Sequence, residues 1–206
     1  MNTRPLIALV LASTGCAVPA ALAASHAEQK VSPKALYKAL LKIPKGTTAL
    51  PDGYQSPTLG PVTPSATAKG HHVIGEVAIG VSKSGTLGAS ILYIVFPTHA
   101  DAIADWNEGT RKLPKKRVAP PAFVPKPAVM FNATVTAKNS AGKTIPVGTT
   151  TLAYVTGTLI VEVETSSTSN KALGDTAGTV GLLQFAAAHL SSVEKATAPA
   201  PAGPIA

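Results

Sequence analysis

The sequence predicts an α+β fold: an antiparallel sheet of about five strands with helices packed on one face. Three observations carry that expectation. Two successive runs between Val73 and Thr98 have strand character, and a second group of alternating runs lies between residues 129 and 165. Helical periodicity appears around residues 33–43, 99–112 and 170–193, before, between and after these groups. The order suggests two strand-strand-helix units of pseudo-duplicated type.

In the first run, Val73, Gly75, Val77, Ile79 and Val81 fall on one face and Glu76 and Ser82 on the other, as in a strand with one wet side. Lys83-Ser84-Gly85-Thr86 supplies turn chemistry, and Ile91 to Phe96 is apolar at every position, as in a strand buried on both faces. In the second group, Val129, Phe131, Ala133, Val135 and Ala137 alternate with Asn132, Thr134, Thr136 and Lys138. Thr149 to Val155 and Thr158 to Thr165 read as two more strands around a Thr156-Gly157 turn, or as one long strand with a bulge at Gly157.

The helices carry end signals. Ser32-Pro33 is an N-cap followed by proline at the first helical position, with Ala35, Leu36, Ala39, Leu40 and Ile43 as the apolar stripe. Thr98 with Asp101 resembles a capping box, and Ala100, Ile103 and Trp106 form the next stripe, with Trp106 as core anchor and Asp101, Asp105 and Glu108 on the wet side. The last helix, apolar nearly all round, is expected to lie on the open sheet face. Residues 46–70, crowded with Pro, Gly and Thr, read as a long loop.

The beginning of the chain reads as an export signal. Arg4, the apolar run from Leu6 to Leu11, and Ala21-Leu22-Ala23 have the charged, apolar and small-residue parts of a secretory signal peptide spanning residues 1–23. Residues 24–195 are then a single α+β domain, and 196–206 a disordered Pro/Ala-rich tail. Ser13, Thr14, Gly15 and Pro19 dilute the apolar run, so no transmembrane span is expected in the mature chain, which would be secreted or periplasmic. Cys16, the only cysteine, ends a stretch that loosely resembles a bacterial lipoprotein cleavage box, with Ser13 where such boxes usually carry leucine. A lipid anchor there is the minor alternative. Cleavage near Ala23 leaves no cysteine, so stability must come from the core.

The formal charge of +8 favours anionic partners and solubility alike. Two segments concentrate it. Lys34, Lys38 and Lys42 repeat every fourth residue along the first helix, opposite its apolar stripe. Arg111, Lys112, Lys115, Lys116 and Arg117 place five positive charges within seven residues, ahead of prolines that hold the backbone extended and exposed. These eight residues are the candidate anion-binding set, for an envelope polymer, a membrane surface or an acidic protein. Nucleic acid is disfavoured, because stacking wants aromatics among the cations and only Phe123 is near. If the two segments share a face they make one binding surface; if opposed, their charge reads as solubility.

Catalytic motifs are lacking. Ala137 to Thr144 matches a relaxed phosphate-loop pattern, but Ile145-Pro146-Val147-Gly148 and a strand follow it where a helix is required. Gly-x-Ser-x-Gly, His-Glu-x-x-His and Cys-x-x-Cys are absent. A non-catalytic binding protein is therefore the favoured reading, and no cofactor is specified. Two alternatives are kept. Cleavage after Ala23 exposes Ala24-Ser25-His26, whose amine, amides and imidazole suit square-planar Cu(II), and cleavage after Ser25 exposes His26 itself. A secreted hydrolase with a dispersed site beneath the 46–70 loop is the other. His71, His72, His99 and His189 read as structural residues.

Overall fold

The computed structural model describes residues 31–42, 50–51, 53–63, 70–83, 88–113, 117–138, 142–167 and 176–197. The elements are α1 (Pro33–Leu40), β1 (Tyr54–Val62), β2 (Gly75–Lys83), β3 (Gly88–Val95), α2 (His99–Arg111), β4 (Ala128–Lys138), β5 (Thr144–Thr156), β6 (Leu159–Ser167) and α3 (Thr176–Thr197). The strands form one six-stranded sheet in the order β1-β2-β3-β6-β5-β4. Every neighbouring pair is antiparallel. The expected α+β class holds.

The local signals act as expected. Ser32 Oγ accepts from Ala35 N at 3.3 Å and caps α1, and Thr98 Oγ1 accepts from Asp101 N at 3.1 Å and caps α2. The apolar run of β3 lies between β2 and β6 in the sheet interior, which is why both of its faces are apolar. Gly157, at φ 52°, turns β5 directly into β6, so the two runs are separate strands and not one bulged strand. A strand, β5, follows Gly142, so the Ala137–Thr144 stretch serves a hairpin and not a phosphate loop.

Three arrangements differ from the sequence expectation. The segment read as a 46–70 loop contains β1, which pairs with β2 along the sheet edge. Its prolines concealed it; Pro57 and Pro61 lack an N–H, a loss tolerated at an edge, and the register shifts between Gln55 and Thr58. The helices also divide between the two faces. Val77, Ile79, Ile91, Tyr93, Val161 and Val163 pack in one core with Leu36 and Leu40 of α1 and Leu182, Leu183 and Phe185 of α3. The alternate residues Ile94, Val155 and Ile160 pack beneath Ala102, Ile103 and Trp106 of α2, on the opposite face. Consequently Glu76, expected on a wet face, is only 3% exposed, and Asp105, read as the solvent side of α2, is 4% exposed.

The expected strand-strand-helix repeat does not extend to the helices; only the strand order is two-fold. β1-β2-β3 and β4-β5-β6 are antiparallel meanders meeting at β3 and β6, and a two-fold axis relating them must stand normal to the sheet. Such an axis keeps each helix on its own face, whereas α2 and α3 lie on opposite ones. The 111–127 segment also departs from a fully exposed course. Val118 bridges to Met130, Val124 is buried, and Phe123 packs on the α1/α3 core, so the prolines carry the chain around the β4 edge from one face to the other.

Leu36 and Leu40 are fully buried and anchor α1. Leu40→Ala is expected to cost about 2–5 kcal/mol, read as a lowered urea midpoint. Lys38→Ala, on the exposed side, should change that midpoint little.

Candidate functional site

α1 presents a regular cationic feature. Its buried leucines fix the rotation of the helix, and that rotation turns Lys34 and Lys38 outward; Lys42, just beyond the C-terminal end, is also exposed. A four-residue step advances about 6 Å along a helix, which sets Lys34 and Lys38 in line on α1, with Lys42 following past the cap at Leu41. None of the three makes an ion pair among the described residues. The carbonyl of Lys42, by contrast, is engaged: His189 Nε2 donates to it at 3.2 Å from α3.

The second segment is arranged differently. Lys112 Nζ lies 2.6 Å from Glu108 Oε1, and His71 Nε2 lies 3.2 Å from Glu108 Oε2. Lys112 first, then His71, hold the Glu108 carboxyl below its ordinary range. Arg117 donates to Thr110 O at 2.9 Å, satisfying a carbonyl in the last turn of α2. Arg111 is exposed. Lys115 and Lys116 lie outside the described residues. α1 and α2 cover opposite faces of the sheet, so the structure does not bring Lys34, Lys38 and Lys42 together with Arg111, Lys112 and Arg117.

The histidines mostly find structural partners. His99 Nδ1 lies 2.6 Å from Gly157 O, and His71 meets Glu108. Among the described residues no group of three or more His, Cys, Asp or Glu side chains could hold a metal ion. His26 lies outside the described residues.

Two interior features escaped the sequence reading. Tyr93 of β3 and His189 of α3 are buried beside each other, with Tyr93 Oη 3.0 Å from His189 Nδ1 and 3.2 Å from Ala186 O. A carbonyl at Nε2 requires a proton on that nitrogen, so in the neutral ring Nδ1 is an acceptor, and the single Tyr93 hydroxyl proton is shared between it and Ala186 O. Burial lowers the His189 pKa, opposed by the bond to Lys42 O, and burial raises that of Tyr93. One imidazole thus ties α1, α3 and β3 together. A lone histidine in an apolar helix was the available signal, but its partners come from distant segments.

The other feature is Glu164 on the α2 face of β6. Burial, followed by repulsion from Glu162, pushes its carboxyl up to about 7, against a hydrogen bond from Thr151 Oγ1 at 3.4 Å. Alternation in β6 had marked Glu162 and Glu164 as neighbours on one face. It gave no sign that this face is covered.

The fold defines the class: an antiparallel α+β protein whose sheet carries helices on both faces. No known protein family and no curated protein matches the chain. Among solved structures, the extracellular domain of PknH from Mycobacterium tuberculosis aligns over 82% of this chain and 97% of that one, at 13% sequence identity and a TM-score of 0.43. That score is too low for any property of that extracellular domain to pass to this chain.

A carboxyl with a raised folded pKa binds its proton more tightly in the fold than in the unfolded chain. Its contribution to stability is fully present below the ordinary carboxylate range and is lost as pH rises towards about 7. Glu164→Gln should therefore melt about 2 °C or more above the parent at pH 8, with the difference shrinking towards pH 4. Scanning calorimetry of the two proteins across that range checks it, and the comparison cancels the titration of His189 and of every other group the two proteins share.

Proposed function

We propose that this chain is an exported, non-catalytic binding protein that docks on an anionic surface of the cell envelope through the Lys34, Lys38 and Lys42 row of α1. The single observation carrying this reading is that row: exposed Lys34 and Lys38 one helical turn apart on α1 and exposed Lys42 just past its end, without ion-pair partners among the described residues, on a helix whose other side is anchored in the core. Lysine heads on flexible stems suit a diffuse field of negative charge better than one fixed carboxylate. Export is supported by the Arg4, Leu6–Leu11 and Ala21-Leu22-Ala23 pattern. Because Arg111, Lys112 and Arg117 gather at the end of α2, on the other side of the sheet, they belong to a separate surface and do not enlarge this one.

A basic side chain close to an anionic membrane contributes about 1 kcal/mol, so three lysines together contribute roughly a hundredfold in partition. The test is co-sedimentation with vesicles of phosphatidylglycerol and phosphatidylcholine. The parent should bind at low salt and release as ionic strength rises, since the Debye length shortens to about 8 Å at physiological salt. The triple variant Lys34→Gln/Lys38→Gln/Lys42→Gln should bind roughly a hundredfold more weakly, while Arg111→Gln should change binding by less than about tenfold. Salt-independent binding, or equal losses from both variants, refutes the assignment to α1.

A further inference from the structure

We propose that the protein pairs with a second copy of itself along the outer edge of β4, by antiparallel strand addition centred on Val135. The two edges of the sheet are unequal. β1 is blunted by Pro57, Pro61 and the irregularity between Gln55 and Thr58. β4 runs in unbroken register with β5 from Ala128↔Tyr154 to Lys138↔Thr144, and the stretch Asn132 to Ala137 has no proline and no charge.

The outward backbone groups of β4 are identified by its own bonds. Val118 N donates to Met130 O at 3.0 Å from the side away from β5, and Val155 N donates to Pro127 O at 3.1 Å from the β5 side. Even-numbered residues of β4 therefore direct N–H and C=O outward, and odd-numbered ones inward to β5. Among the described residues outside the named strands, Val118 is the one bridged to this edge, at Met130. Asn132, Thr134 and Thr136 then present their backbone groups outward, and Thr134 and Thr136 are exposed.

The sequence names the occupant. Ala133-Thr134-Val135-Thr136-Ala137 reads identically in both directions. An antiparallel copy about Val135 sets Val135 against Val135, Thr134 against Thr136 and Ala133 against Ala137. Each Thr134/Thr136 pair exchanges two backbone hydrogen bonds, and the two Val135 side chains meet at a non-hydrogen-bonded position, where cross-strand approach is closest. No charged residue faces its own copy. Any extended peptide could satisfy the backbone, whereas a second copy matches side chain for side chain. The blunted β1 prevents head-to-tail growth through the other edge, so the assembly closes as a dimer.

The dyad stands normal to the sheet, so the α1/α3 faces of both copies lie on the same side. On the reading of α1 as the anion-binding face, on which this consequence rests, both lysine rows address one surface and binding gains from avidity.

Sedimentation of the full chain should give twice the single-chain mass, with dissociation on dilution. Thr136→Pro removes only an outward N–H and should give single chains with an unchanged circular dichroism spectrum. Thr134→Lys/Thr136→Lys opposes like charges at exposed positions and should weaken pairing at least about tenfold, and mixing it with Thr134→Glu/Thr136→Glu should restore a mixed dimer. In a Cys16→Ser background, Val135→Cys should oxidise to an interchain disulfide and Ala133→Cys should not. Single-chain mass for the parent, dimers that persist in both blocking variants, or equal cross-linking at 133 and 135 would overturn the proposal. Vesicle binding reads α1 separately: its loss in the triple lysine variant at unchanged mass speaks to that face alone.

Discussion

The pairing of β3 with β6 is the constraint on which the rest of this molecule depends. Each meander is local, built from strands adjacent in the chain, but only the register from Gly88↔Ser166 to Val95↔Leu159 joins them into one sheet. Both cores straddle that junction. Tyr93 and Val161, opposite each other across it, belong to the α1/α3 core, and Ile94 and Ile160, one residue along, belong to the core under α2. A slip of one residue would exchange the two sets between faces, placing the tyrosine under α2 and away from its histidine. The α2 helix, although it follows β3 in the chain, packs mainly over β5 and β6 and so requires the junction before it has a surface to cover.

Layering a sheet between helices also disperses charge. Each helix must turn its apolar stripe to the sheet and its polar stripe to solvent, so cations on helices of opposite layers end on opposite surfaces. The basic character of the chain is therefore divided. One part is a row along α1, and the other is woven into the end of α2, where Glu108 and the Thr110 carbonyl engage Lys112 and Arg117. Two stretches of similar composition thus differ in engagement: among the described residues Lys34, Lys38 and Lys42 make no ion pair, whereas Lys112 and Arg117 bind groups at the end of α2. The half-buried carboxyl of Glu164 and the buried imidazole of His189 sit on opposite faces of the sheet, and desolvation disfavours the charged form of each.

Much of the fold was legible because the signals are short in range. Period-2 alternation in β2, β4 and β6, the apolar run in β3, Ser32-Pro33 before α1 and Thr98 before α2 each specify an element from neighbouring residues. The edge strand β1 was not legible, since prolines that argue against a central strand are compatible with an edge, and only the presence of β2 beside it distinguishes strand from loop. Asp105 was misplaced for a related reason: a carboxylate on a helix reads as solvent-facing until something covers it.

By itself, the chain determined where five of the six strands and the three helices form, that the sheet is antiparallel, and that eight cations gather in two stretches. Tertiary structure decided that α2 crosses to the other face, that the two basic stretches are held apart, and that Glu76, Asp105 and Glu164 are covered. The physical reason is one of range: dihedral preference, capping and hydrophobic period act within a few residues, whereas the face on which a helix lands is set by the apolar surface that the junction of β3 and β6 creates.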